Sequence, residues 1–204
     1  MKEQDIKKYH FLPGHMVSVD HYILRSTGRL YHKKGKSYPS DMFSGGCVFI
    51  DHDSGYVSIK HQMAINATEN IKEKITFYRE SQSQGVTIKG CHTDNGIFNE
   101  SDFMEELFKK EKNIMFSGAS ISHQNGTADR AIKMLVTMAR NVLMYADLRC
   151  LEDTLYTYIW PMEMDYSVWV YNHIPDMHYG LSAIEICSRS RFEPVSETHI
   201  NCYV

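Results

Sequence analysis

The stretch SHQNGTADRAIKMLVTMARNVL, Ser122 to Leu143, restricts the fold more than any other part of the chain. Behind a polar turn containing Asn125-Gly126, apolar residues recur at Ala128, Ala131, Ile132, Leu135, Met138, Ala139, Val142 and Leu143. That i, i+3, i+4, i+7 spacing draws one stripe along a helix, and a stripe this long has to be buried. The sequence therefore predicts a core helix with one carboxylate, Asp129, a single turn into it.

The segments before it read as alternating strands and helices. VSVDHYI, within Met16 to Ile23, is β-branched and alternating, with Asp20 inside or at the end of a strand. From Leu24 to Ser44 the chain is polar, carries Gly28, Gly35 and Pro39, and holds Arg25, Arg29, Lys33, Lys34 and Lys36; it reads as a basic loop. Cys47 to Ile50 and Tyr56 to Lys60 predict a hairpin around an Asp-Ser-Gly turn, with Asp51 and Asp53 shaping the turn. Asn66 to Gly85 opens on a cap residue and predicts a helix with Ile71, Ile75 and Tyr78 inward. Val86 to His92 is β-branched again and delivers Asp94 to the end of a strand, where ligand-binding loops of α/β sheets gather. Glu100 to Lys110 predicts a helix, NIMF (113–116) an edge strand, and WPMEMDYSVWVYNHIP a last helix begun near Pro161 and ended before Pro175. Trp160, Trp169 and Tyr171 are expected in its buried side.

Composition limits what such a chain does. With 204 residues, 43% of them hydrophobic, there is material for one well-packed domain and barely for two. Cys47, Cys91, Cys150, Cys187 and Cys202 are scattered, no signal-like run opens the chain, and charges interrupt every apolar stretch before it reaches membrane length. A soluble, intracellular protein with no membrane partner is expected. The formal net charge of −3 excludes a protein that coats nucleic acid by bulk charge, while leaving local phosphate contacts open.

Asp20, Asp94 and Asp129 remain as a candidate cluster, because a sheet can set the first and fourth strands side by side with the long helix across them. Three carboxylates without counter-charge repel, and Mg²⁺, which prefers hard oxygen ligands, resolves the repulsion. Two such ions suit phosphodiester displacement. The plainer alternative is that each Asp forms a turn or caps a helix.

The combination of CHTDNGIF with SGASISHQNGTADRAIKMLVTMARNVL resembles the integrase core of copia-type LTR retrotransposons, which carries a DNG turn and then HQNG-x-AER opening a helix. VSVDHYI and GGCVFIDHDSGYV resemble its first strand and hairpin; WPMEMDYSVWVYNHIP and HYGLSAIEI resemble an aromatic helix ending in N-x-x-P and a T-P-x-E box. The resemblance implies an α/β, RNase H-like fold with a mixed five-stranded sheet flanked by helices. It implies an N-terminal extension over 1–15, a catalytic core over 16–146 and a truncated helical post-core segment over 147–204.

The implied activity is that of a polynucleotidyl transferase joining element DNA 3′ ends to target DNA. Two Mg²⁺ or Mn²⁺ ions would be held by Asp20, Asp94 and Asp129, with DNA and a second copy of the chain as partners, no small-molecule substrate, and the nucleus as place of action. His123, Gln124, Asn125, Arg130 and Lys133 fall where DNA contacts are expected; an ordinary Asn-Gly turn and helix start explain the first three at least as well, and a solvated helix charge explains Arg130 equally well and Lys133 less well. His92 and Asn95 flank a ligand as candidate supporting donors. His10 and His15 lack a following C-x-x-C, so no zinc is expected.

Asp129 stands where the family has Glu. The missing methylene retracts the carboxylate by about 1.5 Å, and a misplacement of about 1 Å can cost on the order of a hundredfold in rate. The alternative function is accordingly an inactive DNA-binding or oligomerising remnant.

Overall fold

Strand β1, Val17–Gly28, is the axis on which the other elements are assembled in the computed structural model, which describes residues 12–31, 42–93, 113–116, 126–148, 156–178 and 180–190. On one side β1 pairs antiparallel with β2, Phe43–Asp51, which pairs antiparallel with β3, Val57–Gln62. On the other it pairs parallel with β4, Gly90–Thr93, which pairs parallel with β5, Asn113–Phe116. The result is a mixed sheet in the order β3-β2-β1-β4-β5, in which the short β5 extends four strands whose side chains are described.

Period-two alternation divides β1 between two cores. Val17 and Val19 join Cys47, Phe49 and Cys91 under helix α1, Ala67–Ser83, through Phe77. Tyr22, with Val48, Ile50 and Ile59, faces helix α2, Gly126–Asp147, and helix α3, Trp160–His173. On α2 the fully buried stripe is Ala128, Ala131, Leu135 and Ala139. The three alanines let the helix lie close to the sheet. Trp160 and Met164 of α3 complete the same cluster, so the chain beyond residue 146 packs into the core. A short helix α4, Ala183–Ser188, starts with a capping box between Ser182 and Glu185 and adds Cys187 to the opposite face.

The expected mixed α/β sheet flanked by helices is observed, with four local corrections. The polar stretch expected as loop from Leu24 is strand as far as Gly28, so Arg25 lies on β1, and β2 begins at Phe43. Non-local partners cause this: Trp160 Nε1 donates to Ser26 O at 3.0 Å and Arg29 N to Tyr158 O at 2.6 Å.

β4 begins at Gly90 rather than Val86, because β1 supplies a partner only from Val17, which pairs Cys91. Val86 and Lys89 bond instead to Ser81 O and Gly14 O. The buried side of α1 is Asn70, Lys74, Phe77 and Ser81, with Ile71 and Tyr78 only flanking it. Lys74 places its ammonium 5.2 Å from the Tyr78 ring. Trp169, expected in the core, is 51% exposed. The expected helix at 100–110 lies outside the described residues.

Asp51 does shape the hairpin turn, and it is buried. Its Oδ1 accepts from Gly14 N at 2.7 Å, while Oδ2 accepts from Ser54 N and Ser54 Oγ. Gly55 closes the turn at φ +69°, which costs glycine nothing.

Candidate carboxylate site

Asp20 lies inside β1, half-buried, paired in register with Val48. Alternation turns it to the side of Ser18 and Tyr22, the side crossed by α2 and α3. Its Oδ1 accepts from His21 N at 2.8 Å. The next side chain, His21, points to the opposite side and fastens the strand from beneath: His21 Nε2 and Asn70 Oδ1 share a 2.8 Å hydrogen bond. Gln62 Nε2 donates to the same oxygen at 2.7 Å and Cys47 Sγ at 3.4 Å, so one fully buried amide on α1 ties β1, β2 and β3 together next to Asp20. Burial, and then Glu73, push the Cys47 thiol far up, and it is no nucleophile at neutral pH.

Val19 pairs with Thr93, so the residue before Asp20 lies beside the residue before Asp94. Asp94 itself, with Asn95, lies outside the described residues, as do His123, Gln124 and Asn125, which precede the first described residue of α2. Among the described residues no group of three His, Cys, Asp or Glu is arranged to hold a metal, a set that does not contain Asp94.

Asp129 follows the fully buried Ala128 and is exposed on the first turn of α2, where the helix dipole favours a negative charge. Its Oδ2 accepts from Lys133 Nζ at 2.7 Å one turn on. Lys133, a candidate phosphate contact, thus spends its charge on Asp129 here. Arg130 Nε donates to Gly126 O at 3.0 Å and closes the helix start. An exposed i, i+4 pair is worth only about 0.3–0.5 kcal/mol, so a stronger ligand can displace either partner.

Beside Asp20 lies a pair that sequence reasoning missed. Ser18 Oγ and His52 Nε2 share a 2.7 Å hydrogen bond, and His92 on β4 is paired in register with Ser18. The period-two rule applied from Asp20 to Ser18 was the available signal; the reach of His52 from the far end of the hairpin was not.

Burial lowers the His52 imidazole below its ordinary value of 6.5, with Asp51 opposing the shift. The unfolded chain therefore binds the proton more readily than the folded one, and the stability this group confers is complete above pH 6.5 and falls as the pH drops through the folded value. Urea midpoints of the protein should decline on acidification below pH 6.5, and His52→Gln should flatten part of that decline. Identical slopes in the two proteins would remove His52 from the account.

No family model and no curated protein sequence matches the chain. Solved structures do. A chain of the simian T-cell lymphotropic virus intasome in complex with PP2A regulatory subunit B56 gamma superposes with a TM-score of 0.65 at 17% identity, covering 92% of this chain and 59% of that one. This chain thus spans little more than half of that chain's length. The HTLV-2 integrase catalytic core domain in complex with magnesium gives 0.58 at 19% identity over 86% of this chain and 97% of that one. The catalytic core domain of BIV integrase gives 0.57 at 14% identity over 85% and 93%. At these identities the likeness is one of fold, and the fold is the RNase H-like one of integrase catalytic cores.

Proposed function

We propose that the chain carries the catalytic core of an integrase of the copia-type LTR retrotransposons, a core that begins near residue 16 and takes in α3 beyond residue 146, acting on DNA in the nucleus as a homo-oligomer. The 3′-hydroxyl oxygen of element DNA would attack a target phosphorus, forming the joining P–O bond as the target strand's own P–O3′ bond breaks and its 3′-oxygen leaves. One observation carries the reading. In a fold shared with integrase cores, Asp20 is fastened inside β1 on the side crossed by α2, and Asp129 stands on the first turn of α2. The HTLV-2 core was solved with magnesium, in dimeric and trimeric forms, and the simian viral chain belongs to an intasome; these facts support metal, self-association and DNA as the partners to test here.

The residues suit a hard divalent cation. Asp20, Asp94 and Asp129 offer only carboxylate oxygens, and the contact that Asp129 makes to Lys133 is weak enough to yield. Bound Mg²⁺ or Mn²⁺ supplies charge neutralisation at the phosphate and activation of the attacking hydroxyl. The chain contributes rigidity at Asp20 through the His21–Asn70 fastening, and Lys133, once released from Asp129, is a cation available to a DNA phosphate.

A second reading, the inactive remnant, draws on Asp129 as well: the carboxylate is one methylene short and already neutralised by Lys133. Mn²⁺ separates the two readings. A working site should raise the melting temperature with the logarithm of ligand excess, since binding at a hundredfold over Kd adds about 2.7 kcal/mol. Asp20→Asn should abolish the rise. A melting curve indifferent to Mn²⁺ favours the remnant.

A further inference from the structure

The ion pair at the start of α2 joins two groups that the proposed chemistry needs apart. Asp129 Oδ2 accepts from Lys133 Nζ at 2.7 Å, and the two side chains are 51% and 73% exposed. Both ends lie in solvent on one helix, so the pair forms and parts by side-chain rotation alone. The buried row Ala128, Ala131 and Leu135 on the other side of α2 is not disturbed. Arg130, the neighbouring cation, is turned back to Gly126 O.

A carboxylate that holds an ammonium is a poorer ligand for a divalent cation. The two cations either compete for one oxygen or, with one on each oxygen, stand close enough to repel. The ammonium is in turn a poorer partner for phosphate while the carboxylate offsets its charge. Such a coupling is reciprocal: the factor by which a phosphate on Lys133 strengthens metal binding is the factor by which the metal strengthens phosphate binding.

We propose that the Asp129–Lys133 pair is an autoinhibitory latch. Lys133 keeps the carboxylate site weakly loaded until a nucleic-acid phosphate draws its ammonium away, and Asp129 weakens phosphate binding until a metal ion takes its carboxylate. The inference rests on the carboxylate reading above and adds a coupling between the two partners of that site.

The probes are Mn²⁺ alone and, in EDTA, a short DNA duplex, each titrated against the whole chain. Lys133→Met keeps a long helix-forming side chain and should bind Mn²⁺ more tightly than the parent by about twofold or more, the factor to which an exposed i, i+4 pair corresponds. Lys133→Arg should bind Mn²⁺ as the parent does. In an Asp129→Asn background the gain from Lys133→Met should disappear. With no metal present, Asp129→Asn should bind the duplex about twofold more tightly than the parent, and adding Lys133→Met should erase that gain. Equal Mn²⁺ affinity in the parent and Lys133→Met would overturn the latch while leaving the metal reading intact. So would a gain of the same size with and without Asp129, which marks a general charge effect, or duplex binding indifferent to Asp129→Asn. Mn²⁺ bound by none of these proteins, each of them folded, would overturn the metal reading itself and the latch with it.

Discussion

Asn172→Leu is expected to lower stability by about 3 kcal/mol, because Asn172 completes the exposed edge of the sheet. Its Oδ1 accepts from Val57 N at 3.0 Å and its Nδ2 donates to Val57 O at 2.7 Å, so one buried side-chain amide acts as the missing neighbouring strand for β3. Leucine has similar bulk and leaves both backbone groups buried and unpaired, at about 1–3 kcal/mol each. For a chain of this size the melting temperature should fall by roughly 6–12 °C. Asn172→Asp keeps the acceptor but loses the donor and buries a charge, and should be no better. Thermal melts that show less than about 1 kcal/mol lost would mean that water satisfies Val57 instead. The contact also gives a physical reason for an Asn at the start of an N-x-x-P motif: it joins α3 to a strand 115 residues away.

Gly45→Ala is the second large effect. A Cβ on Gly45 would stand 2.1 Å from Tyr22 O, a backbone atom of the paired strand, where no side-chain rotation relieves the contact. Opening β1 from β2 there breaks ladder bonds beside Tyr22 and Asp20, so the cost should reach the top of the roughly 1–3 kcal/mol range of overpacking, or exceed it. Urea denaturation should show an earlier midpoint with an unchanged slope. A midpoint within error of the parent would mean that the strands separate there without strain. The neighbouring Gly46 is confined as well, by Lys60 O and the Tyr22 ring.

Periodicity along the chain revealed α2 because its stripe is long and its buried positions, Ala128 to Ala139, repeat without interruption. It revealed Asn66 as the cap of α1, whose Oδ1 accepts from Glu69 N at 2.9 Å. It misjudged the inner side of α1 because Asn70 and Lys74 are polar residues buried by specific partners, a hydrogen-bonded cluster and an aromatic ring, that no local pattern announces. It placed Trp169 inside because helical spacing does not say which of two aromatic rows faces the sheet.

The same holds for the cluster beneath α3. His61 accepts from or donates to Tyr22, Pro161 O and Asp165, and Tyr31 donates to Asp165, residues spread over more than a hundred positions. With Nε2 donating to the Asp165 carboxylate, a neutral His61 takes the Tyr22 hydroxyl at Nδ1. Trp160 and Phe43 enclose the imidazole at 5.2 and 5.3 Å. At the carboxylate site, alternation located Asp20 on its strand. Placement at a strand end and on the first turn of the long helix made Asp94 and Asp129 candidates, the resemblance of motifs weighted them above the other acidic residues, and the Lys133 partner of Asp129 follows from the ordinary i, i+4 rule.

The central claim is metal-dependent DNA joining at these carboxylates, and strand joining on a branched DNA substrate with Mg²⁺ or Mn²⁺ tests it most directly. The parent protein, Asp129→Glu and an Asp20→Asn control should be compared. The account predicts joined product from the parent, more of it from Asp129→Glu, and none from Asp20→Asn. Product that persists undiminished in Asp20→Asn, or silence from both the parent and Asp129→Glu while each remains folded and binds Mn²⁺, would contradict it.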